Sequence, residues 1–412
     1  MGIRAAFNMI VVVAALGYFV DIYDLILFGV VRVPSLNSIG ITDPEAVKNA
    51  GLSLINWQMF GMLFGGVLWG VMGDRKGRVQ VLFGSILMYS LANIMNGFVD
   101  SFGENSLLMY KILRLVAGIG LAGELGAGIT LVSETMHKED RGYGTMLVVM
   151  FGALGGVTAA LVGRQFDWHI SYFVGGTLGL ALLLLRAGAY ESGMFREAQY
   201  ANIERGNFLS LFTNGSRLRK YIACIFIGLP IWFSVGILIL LAKEITLKIG
   251  VTGIDTKNIN GTAILWLYVG LAVGDIASGW LSQVLRSRKK VVLLFIILHA
   301  ASIITYLSVR DISATTFAIM IFLVGATTGY WGLFATIASE QFGTNLRATV
   351  ATTVPNFVRG ALIPITAAFQ YFDVRIGTIN AAMTVGMVCI ALGIAAVISM
   401  DETFGKDLDY TE

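Results

Sequence analysis

Long apolar stretches alternate with short polar connections along this chain, and their lengths carry the first conclusion. Runs with few charges fall near 9–31, 52–73, 79–99, 107–134, 144–163 and 170–189. After a polar stretch at 190–219, six more follow near 221–242, 262–285, 291–308, 314–337, 348–372 and 378–399. A helix needs about 20 apolar residues to cross the hydrocarbon layer of a bilayer. The pattern therefore predicts an all-α integral membrane protein with twelve transmembrane helices in two six-helix bundles. The expected parts are an N-terminal bundle at 1–189, a cytoplasmic linker at 190–219 and a C-terminal bundle at 220–412. The first run contains Asp21 and Asp24 and is followed by no small-residue cleavage site, so it reads as a span and not as a removable signal.

Composition narrows the class further. Hydrophobic residues make up 56% of the 412 and charged residues only 13%, about half the share of a soluble domain. A soluble enzyme and a disordered chain are both excluded. The two cysteines, Cys224 and Cys389, lie singly inside apolar runs, and His137, His169 and His299 are scattered. This leaves no disulfide framework and no metal cluster, and no cofactor is expected.

Lysine and arginine set the orientation. With the N-terminus inside, 17 of the 29 fall on inner segments, including the clusters Arg75-Lys76-Arg78 and Arg286-Arg288-Lys289-Lys290, against seven on outer ones. That asymmetry predicts cytoplasmic termini on both ends and a topology signal in place of nucleic-acid binding. The halves also echo each other: GVMGDRKGRV at 70–79 follows the second run, and GWLSQVLRSRKK at 279–290 follows the eighth. Internal repetition of this kind is how many transporters are built.

An ionisable side chain within a span is costly and is by default a functional candidate. The first span holds Asp21 and Asp24 on one helical face, the fourth Arg114 and Glu124, the eighth Asp275 and the eleventh Arg359. At about 1.5 Å per residue, Asp24 and Arg114 lie at similar depths, roughly 10–12 Å from the outer end. The spacing allows them to meet, either as a proton-coupling switch or as a static ion pair. Asp21 reads as a second proton site or a substrate contact. Arg359, beside Asn356, offers a fork of donors to a carboxylate or phosphate, or else partners a buried acid such as Glu124 or Asp275. Trp232 and Tyr330 are among the aromatic residues placed to line a central cavity, although packing is the ordinary role of such residues. Glycines crowd the second run (Gly61, Gly65, Gly66) and the fifth (Gly152, Gly155, Gly156), where they allow helices to approach closely.

Several motifs resemble one family. GDRKGR at 73–78 resembles the loop signature between the second and third helices of the major facilitator superfamily. DETFGKDLDY at 401–410, YESGMF at 190–195 and EQFGTNLRAT at 340–349 resemble segments of its sugar porters and organic-ion transporters, with the usual prolines missing from the last two. YFVDIYDLILFGVVRVPSLN at 18–37 is similar to the D-x-Y-D first helix of metabolite, aromatic-acid, sialic-acid and phosphate proton symporters. RLVAGIGLAGELGAGITLVSE at 114–134 is similar to their fourth helix. The resemblance implies the major facilitator fold, with Arg114 paired to Asp24 for proton coupling and Glu124 at a position that is often acidic. It also implies an inner gate in which Asp74, Arg75, Arg78, Glu134 and Arg141 form a charge network. The seventh run, with Trp232 and Ser234, lacks the acid of phosphate symporters and the paired glutamines of sugar porters. The fifth run lacks the proline of drug antiporters.

These readings predict a transporter and not an enzyme: there is no HExxH, nucleophile elbow or phosphate loop. The expected activity is proton-coupled uptake of a small polar organic metabolite, most simply an organic anion, by rocking of the two halves. The alternative is a proton-coupled exporter, or a uniporter of a sugar, organic cation or drug. The expected partners are the small-molecule substrate, protons and the lipid bilayer, with no nucleic acid, for a monomer in a bacterial cytoplasmic (inner) membrane.

Overall fold

A computed structural model describes residues 9–76, 78–124, 126, 141–191, 208–255 and 258–405. Helices dominate because a backbone inside lipid must satisfy its own hydrogen bonds. In chain order they are α1 (Met9–Ser38), α2 (Pro44–Lys76), α3 (Arg78–Asn96), α4 (Ser106–Leu121), α5 (Arg141–Gln165) and α6 (Trp168–Glu191). A short turn of helix at Ser210–Thr213 leads into α7 (Gly215–Phe233), a π-helical segment at Ser234–Ile239, and α8 (Ala242–Ile249). Then come α9 (Ile259–Val284), α10 (Arg288–Ser308), α11 (Ala314–Thr328), α12 (Trp331–Glu340), α13 (Thr344–Gly360), α14 (Leu362–Ile376) and α15 (Thr378–Ser399).

Three expected spans are interrupted. The seventh runs through α7, the π segment and α8; the tenth breaks at Gly329 and Tyr330 between α11 and α12; the eleventh breaks at Ala361 between α13 and α14. Grouped this way, described helices occupy all twelve stretches that the hydropathy pattern marks. Nine of these stretches are long and apolar enough to cross a bilayer, counting α7 with the π segment and α11 with α12. The remainder are α3 and α4, which pass only as a pair bent by 73°, and the polar span that carries Arg359.

The ends are set by local chemistry. Pro44 opens α2, where its missing N–H costs nothing, and the Asp43 carboxylate accepts the Ala46 N–H at 2.8 Å. Asn214, Ser287 and Ser313 cap α7, α10 and α11 through their side chains. Helix α1 packs along α5 and α2 along α4; α5 meets α9, and α2 meets α13. Glycine makes the α2–α4 approach possible: a Cβ at Gly61 would lie 3.0 Å from the Ile119 backbone nitrogen and closer still to the Leu115 carbonyl. The two sets of six thus touch along α2/α13 and α5/α9, with α1 reaching the second set between them.

Candidate functional site

At mid-depth the first and eleventh spans face each other through charge. Asp21 of α1 lies 3.4 Å from Arg359 of α13, and both side chains are fully buried. Arg359 was expected to contact a ligand or to partner Glu124 or Asp275; its partner is Asp21. The pair is open: Arg359 Nε and Nη1 and Asp21 Oδ1 have no hydrogen-bond partner among the described residues. Two indoles wall the guanidinium, with its carbon 5.7 Å from the Trp232 ring and 6.0 Å from the Trp331 ring. Such faces attract a desolvated cation. Trp331 Nε1 donates to the Tyr18 hydroxyl at 2.9 Å, one turn along α1 from Asp21. A narrow apolar crevice runs on from Trp232 toward Leu25, Gly29, Ile55 and Tyr268.

Asn356 lies one turn from Arg359. Its Nδ2 donates to the Ala122 carbonyl at 2.9 Å and the Thr352 carbonyl at 3.0 Å, leaving Oδ1 without a partner. It ties α13 to the end of α4 and keeps one acceptor free. Tyr330 is committed elsewhere: its buried hydroxyl donates to the Ile227 carbonyl at 3.0 Å. That bond anchors the break in the tenth span to α7 and uses the hydroxyl's one proton.

The first-span acid expected to pair with Arg114 stands apart from it. Asp24 and Arg114 form no ion pair within 4.0 Å, and neither Asp24 oxygen has a hydrogen-bond partner among the described residues. Arg114 instead donates to Gln58 of α2 and lies 4.8 Å over the Phe28 ring. The reason is geometric, because Gln58 sits where α2 and α4 pack most tightly, with Gly118 against its backbone. Glu124 is likewise engaged, by Arg186 of α6, which reaches its Oε2 at 3.0 Å and its Oε1. Gly17 makes room for that pair: a Cβ there would lie 3.1 Å from the Glu124 Cδ and nearer still to Arg186. Gln58, Arg186 and Arg32 were not singled out from the sequence, although both arginines lie in spans and so carried the same signal of expensive burial.

Of the expected inner gate, Glu134 lies outside the described residues. Asp74, Arg75, Arg78 and Arg141 stand on helix ends whose side chains also lie outside the described set. At the opposite end, charged side chains are described. Arg32 of α1, completely buried, donates through Nη2 to both carboxylate oxygens of Glu244 on α8, at 2.7 and 2.8 Å. Lys48 of α2 reaches Asp373 of α14 at 2.5 Å and Glu45 at 2.8 Å. Asn49 and Gln370 join at 3.3 Å beside it. Apart from Lys48–Glu45 within α2, each of these contacts joins a helix of the first six spans to one of the last six.

Relatives place this arrangement. The chain is 25% identical to the niacin transporter NiaP of Acinetobacter baylyi, over 96% of this chain and 94% of that one. It is 26% identical to the 3-(3-hydroxy-phenyl)propionate transporter of Escherichia coli, over 83% of this chain and 82% of the relative. The crystal structure of a D-xylose-proton symporter superposes with a TM-score of 0.71, covering 97% of this chain and 99% of its own at 17% identity, which shows the shared fold. The family model of the Major Facilitator Superfamily matches residues 9–363. With twelve helical stretches, an interface between two sets of six and charged groups buried along it, the chain belongs to that superfamily, a family of membrane transporters and not of enzymes.

Proposed function

We propose that this chain imports a small organic anion together with protons, with an aromatic monocarboxylate as the substrate class. The observation that carries the reading is Arg359: a buried guanidinium with two unbonded nitrogens, walled by Trp232 and Trp331 and facing Asp21 from the other half. A carboxylate matches the free donors, and a flat ring matches the indole walls and the apolar crevice. The relatives named above carry niacin and 3-(3-hydroxyphenyl)propionate, both aromatic carboxylic acids, which supports the same class.

The chemistry follows from the open pair. With Asp21 ionised, it occupies Arg359 and ties α1 to α13. A proton arriving on Asp21 from outside releases the guanidinium, and the substrate carboxylate takes its place. The neutral acid and the neutralised arginine then let the two halves rock, and loss of the proton inside restores the Asp21–Arg359 pair and expels the anion. Asp24, buried with both oxygens unbonded one turn away, is the second proton site. Its charged and neutral forms fit that core very differently, which is what a coupling group requires. Arg114, engaged by Gln58, supplies the nearby positive charge. In this reading residues 1–189 and 220–412 are the rocking bodies and 190–219 the inner linker. The protein works as a monomer in the cytoplasmic membrane with both termini inside.

Proton movement into proteoliposomes tests the proposal, with nicotinate, benzoate, sialic acid, xylose and an amine added separately and no gradient imposed. Alkalinisation of the exterior on adding an aromatic carboxylate is the expected result. Silence across the panel with counterflow of a carboxylate intact would overturn proton coupling. A response to xylose or the amine alone would overturn the anion assignment.

A further inference from the structure

Asp275, a half-buried acid in the eighth span, has no part in the scheme above. It is not the partner of Arg359. Its Oδ1 accepts the backbone N–H of Gly332 at 3.1 Å, and its Oδ2 has no partner among the described residues. Gly332 is the second residue of α12, the half-helix that begins at Trp331 after the break in the tenth span. The first N–H groups of a helix have no intrahelical acceptor, and this helix has no cap of its own. Tyr330, at the capping position, makes no side-chain cap and sends its hydroxyl to Ile227. The acceptor comes from another helix.

Glycine makes that reach possible. Helix α9 passes the break with Gly274 against Gly329, where a Cβ on Gly274 would fall 2.9 Å from the Gly329 Cα. Asp275, the next residue along α9, is thereby set beside the start of α12. A carboxylate at a helix N-terminus also meets the positive end of the helix dipole.

We propose that Asp275 is a positioning residue for the substrate site: by capping α12 from α9, it fixes where Trp331 stands. Trp331 is the first residue of that half-helix. Its indole both walls Arg359 and donates to Tyr18 of the opposite half. A shift of the α12 start therefore moves a wall of the anion site and the Trp331–Tyr18 link together. The transport consequence rests on Arg359 being the anion site; the structural consequence does not.

The test uses the full-length protein labelled with 5-fluorotryptophan, its Trp331 signal identified by its absence in Trp331→Phe. In Asp275→Asn the amide oxygen still accepts the Gly332 N–H, so the fluorine signal of Trp331 keeps its wild-type position. In Asp275→Ala the cap is lost and the signal shifts or broadens, with no ligand present. In proteoliposomes carrying nicotinate, Asp275→Ala raises KM by roughly tenfold, the loss of about one desolvated cation–π wall, with a smaller change in the maximal rate. Asp275→Asn keeps KM near wild type and still accumulates nicotinate down a proton gradient. An unmoved Trp331 signal in Asp275→Ala overturns the proposal. So does loss of gradient-driven accumulation in Asp275→Asn with exchange intact, which would make Asp275 a titrating group. If Asp275→Ala does not fold, the asparagine variant decides alone: a wild-type signal supports the cap, and a displaced one removes it. If nicotinate is not carried at all, the substrate reading fails while the fluorine comparison still decides the role of Asp275.

Discussion

Asp21 and Arg359 meet at 3.4 Å across the seam between the first and eleventh spans, fully buried and each with polar atoms left over. Breaking a buried pair by deleting one partner leaves an uncompensated charge, at a cost of about 3–5 kcal/mol. A ligand carboxylate that replaces Asp21 on Arg359 avoids that cost, and a neutral ligand does not. Nicotinate and nicotinamide differ in this one respect. In an Asp21→Asn/Arg359→Gln background, which removes both charges together, nicotinate affinity should fall about 100-fold on the scale of charge-assisted hydrogen bonds. Nicotinamide affinity should change little. Competition against a labelled probe reads both, and equal losses would remove Arg359 from the anion site.

Asp24 offers a separable step. Neither of its oxygens has a hydrogen-bond partner among the described residues, and Arg114 is engaged by Gln58. Asparagine at this position preserves the shape and removes the titration. Asp24→Asn should abolish substrate accumulation driven by a pH gradient while leaving counterflow exchange measurable. Gradient-driven uptake at the wild-type level in that variant would return Asp24 to a structural role.

The cross-links Arg32–Glu244 and Lys48–Asp373 close one end of the seam between the halves, the outer end in the proposed topology. Opening toward that side must break them. Glu244→Gln leaves Arg32 buried without its counter-charge, a loss of about 3 kcal/mol or more to the closed form. The crevice residue Ile239 gives a reporter, because Cys224 and Cys389 are themselves buried. Labelling of Ile239→Cys by a membrane-impermeant thiol reagent should accelerate at least tenfold in Glu244→Gln, given that energy. The charge-swapped pair Arg32→Glu/Glu244→Arg should slow it again. Unchanged labelling would mean that the ion pair does not hold the closed form.

How much of this was written in the sequence depends on the range of the forces involved. The twelve helical stretches were legible because crossing lipid imposes a length and polarity that any window reveals. Buried charges were legible as candidates, since Asp21, Asp24, Arg114, Glu124, Asp275 and Arg359 stand out in apolar runs. Their partners were not. Which acid meets Arg359 depends on how α1 and α13 rotate against each other, a matter of packing among residues some 340 apart in sequence. Depth estimates brought Asp24 level with Arg114, but the tight α2–α4 contact at Gly61 and Gly118 gave Arg114 to Gln58. Arg186 and Arg32 carried the same signal as Arg359 and were passed over only for want of a motif around them. The breaks at Gly329–Tyr330 and at Ala361 were invisible to a hydropathy window, which averages across them.

The segment after the last span, DETFGKDLDY, caps the start of α10 through Glu402. Glu402 gathers donors around the start of α10: the backbone N–H groups of Arg288 at 3.0 Å and Lys289 at 3.3 Å, its neighbours Thr403 at 2.9 Å and Phe404 at 3.0 Å, and the Ser287 hydroxyl. Partial burial works to raise its pKa, but the Ser287 hydroxyl and the backbone donors outweigh it and hold the carboxyl below its ordinary value of 4.5. A depressed folded value means that the contribution to stability is complete above the ordinary pKa and is lost as pH falls through the folded one. Glu402→Gln keeps an acceptor and loses the charge, so it should cost about 1 kcal/mol at neutral pH, the usual scale of a helix cap. The difference in Tm between wild type and Glu402→Gln should therefore be largest near neutrality and shrink below about pH 4.5. Thermal unfolding in detergent across that range measures it. A difference that stays constant with pH would show that the carboxylate charge contributes nothing and that Glu402 acts through its shape alone.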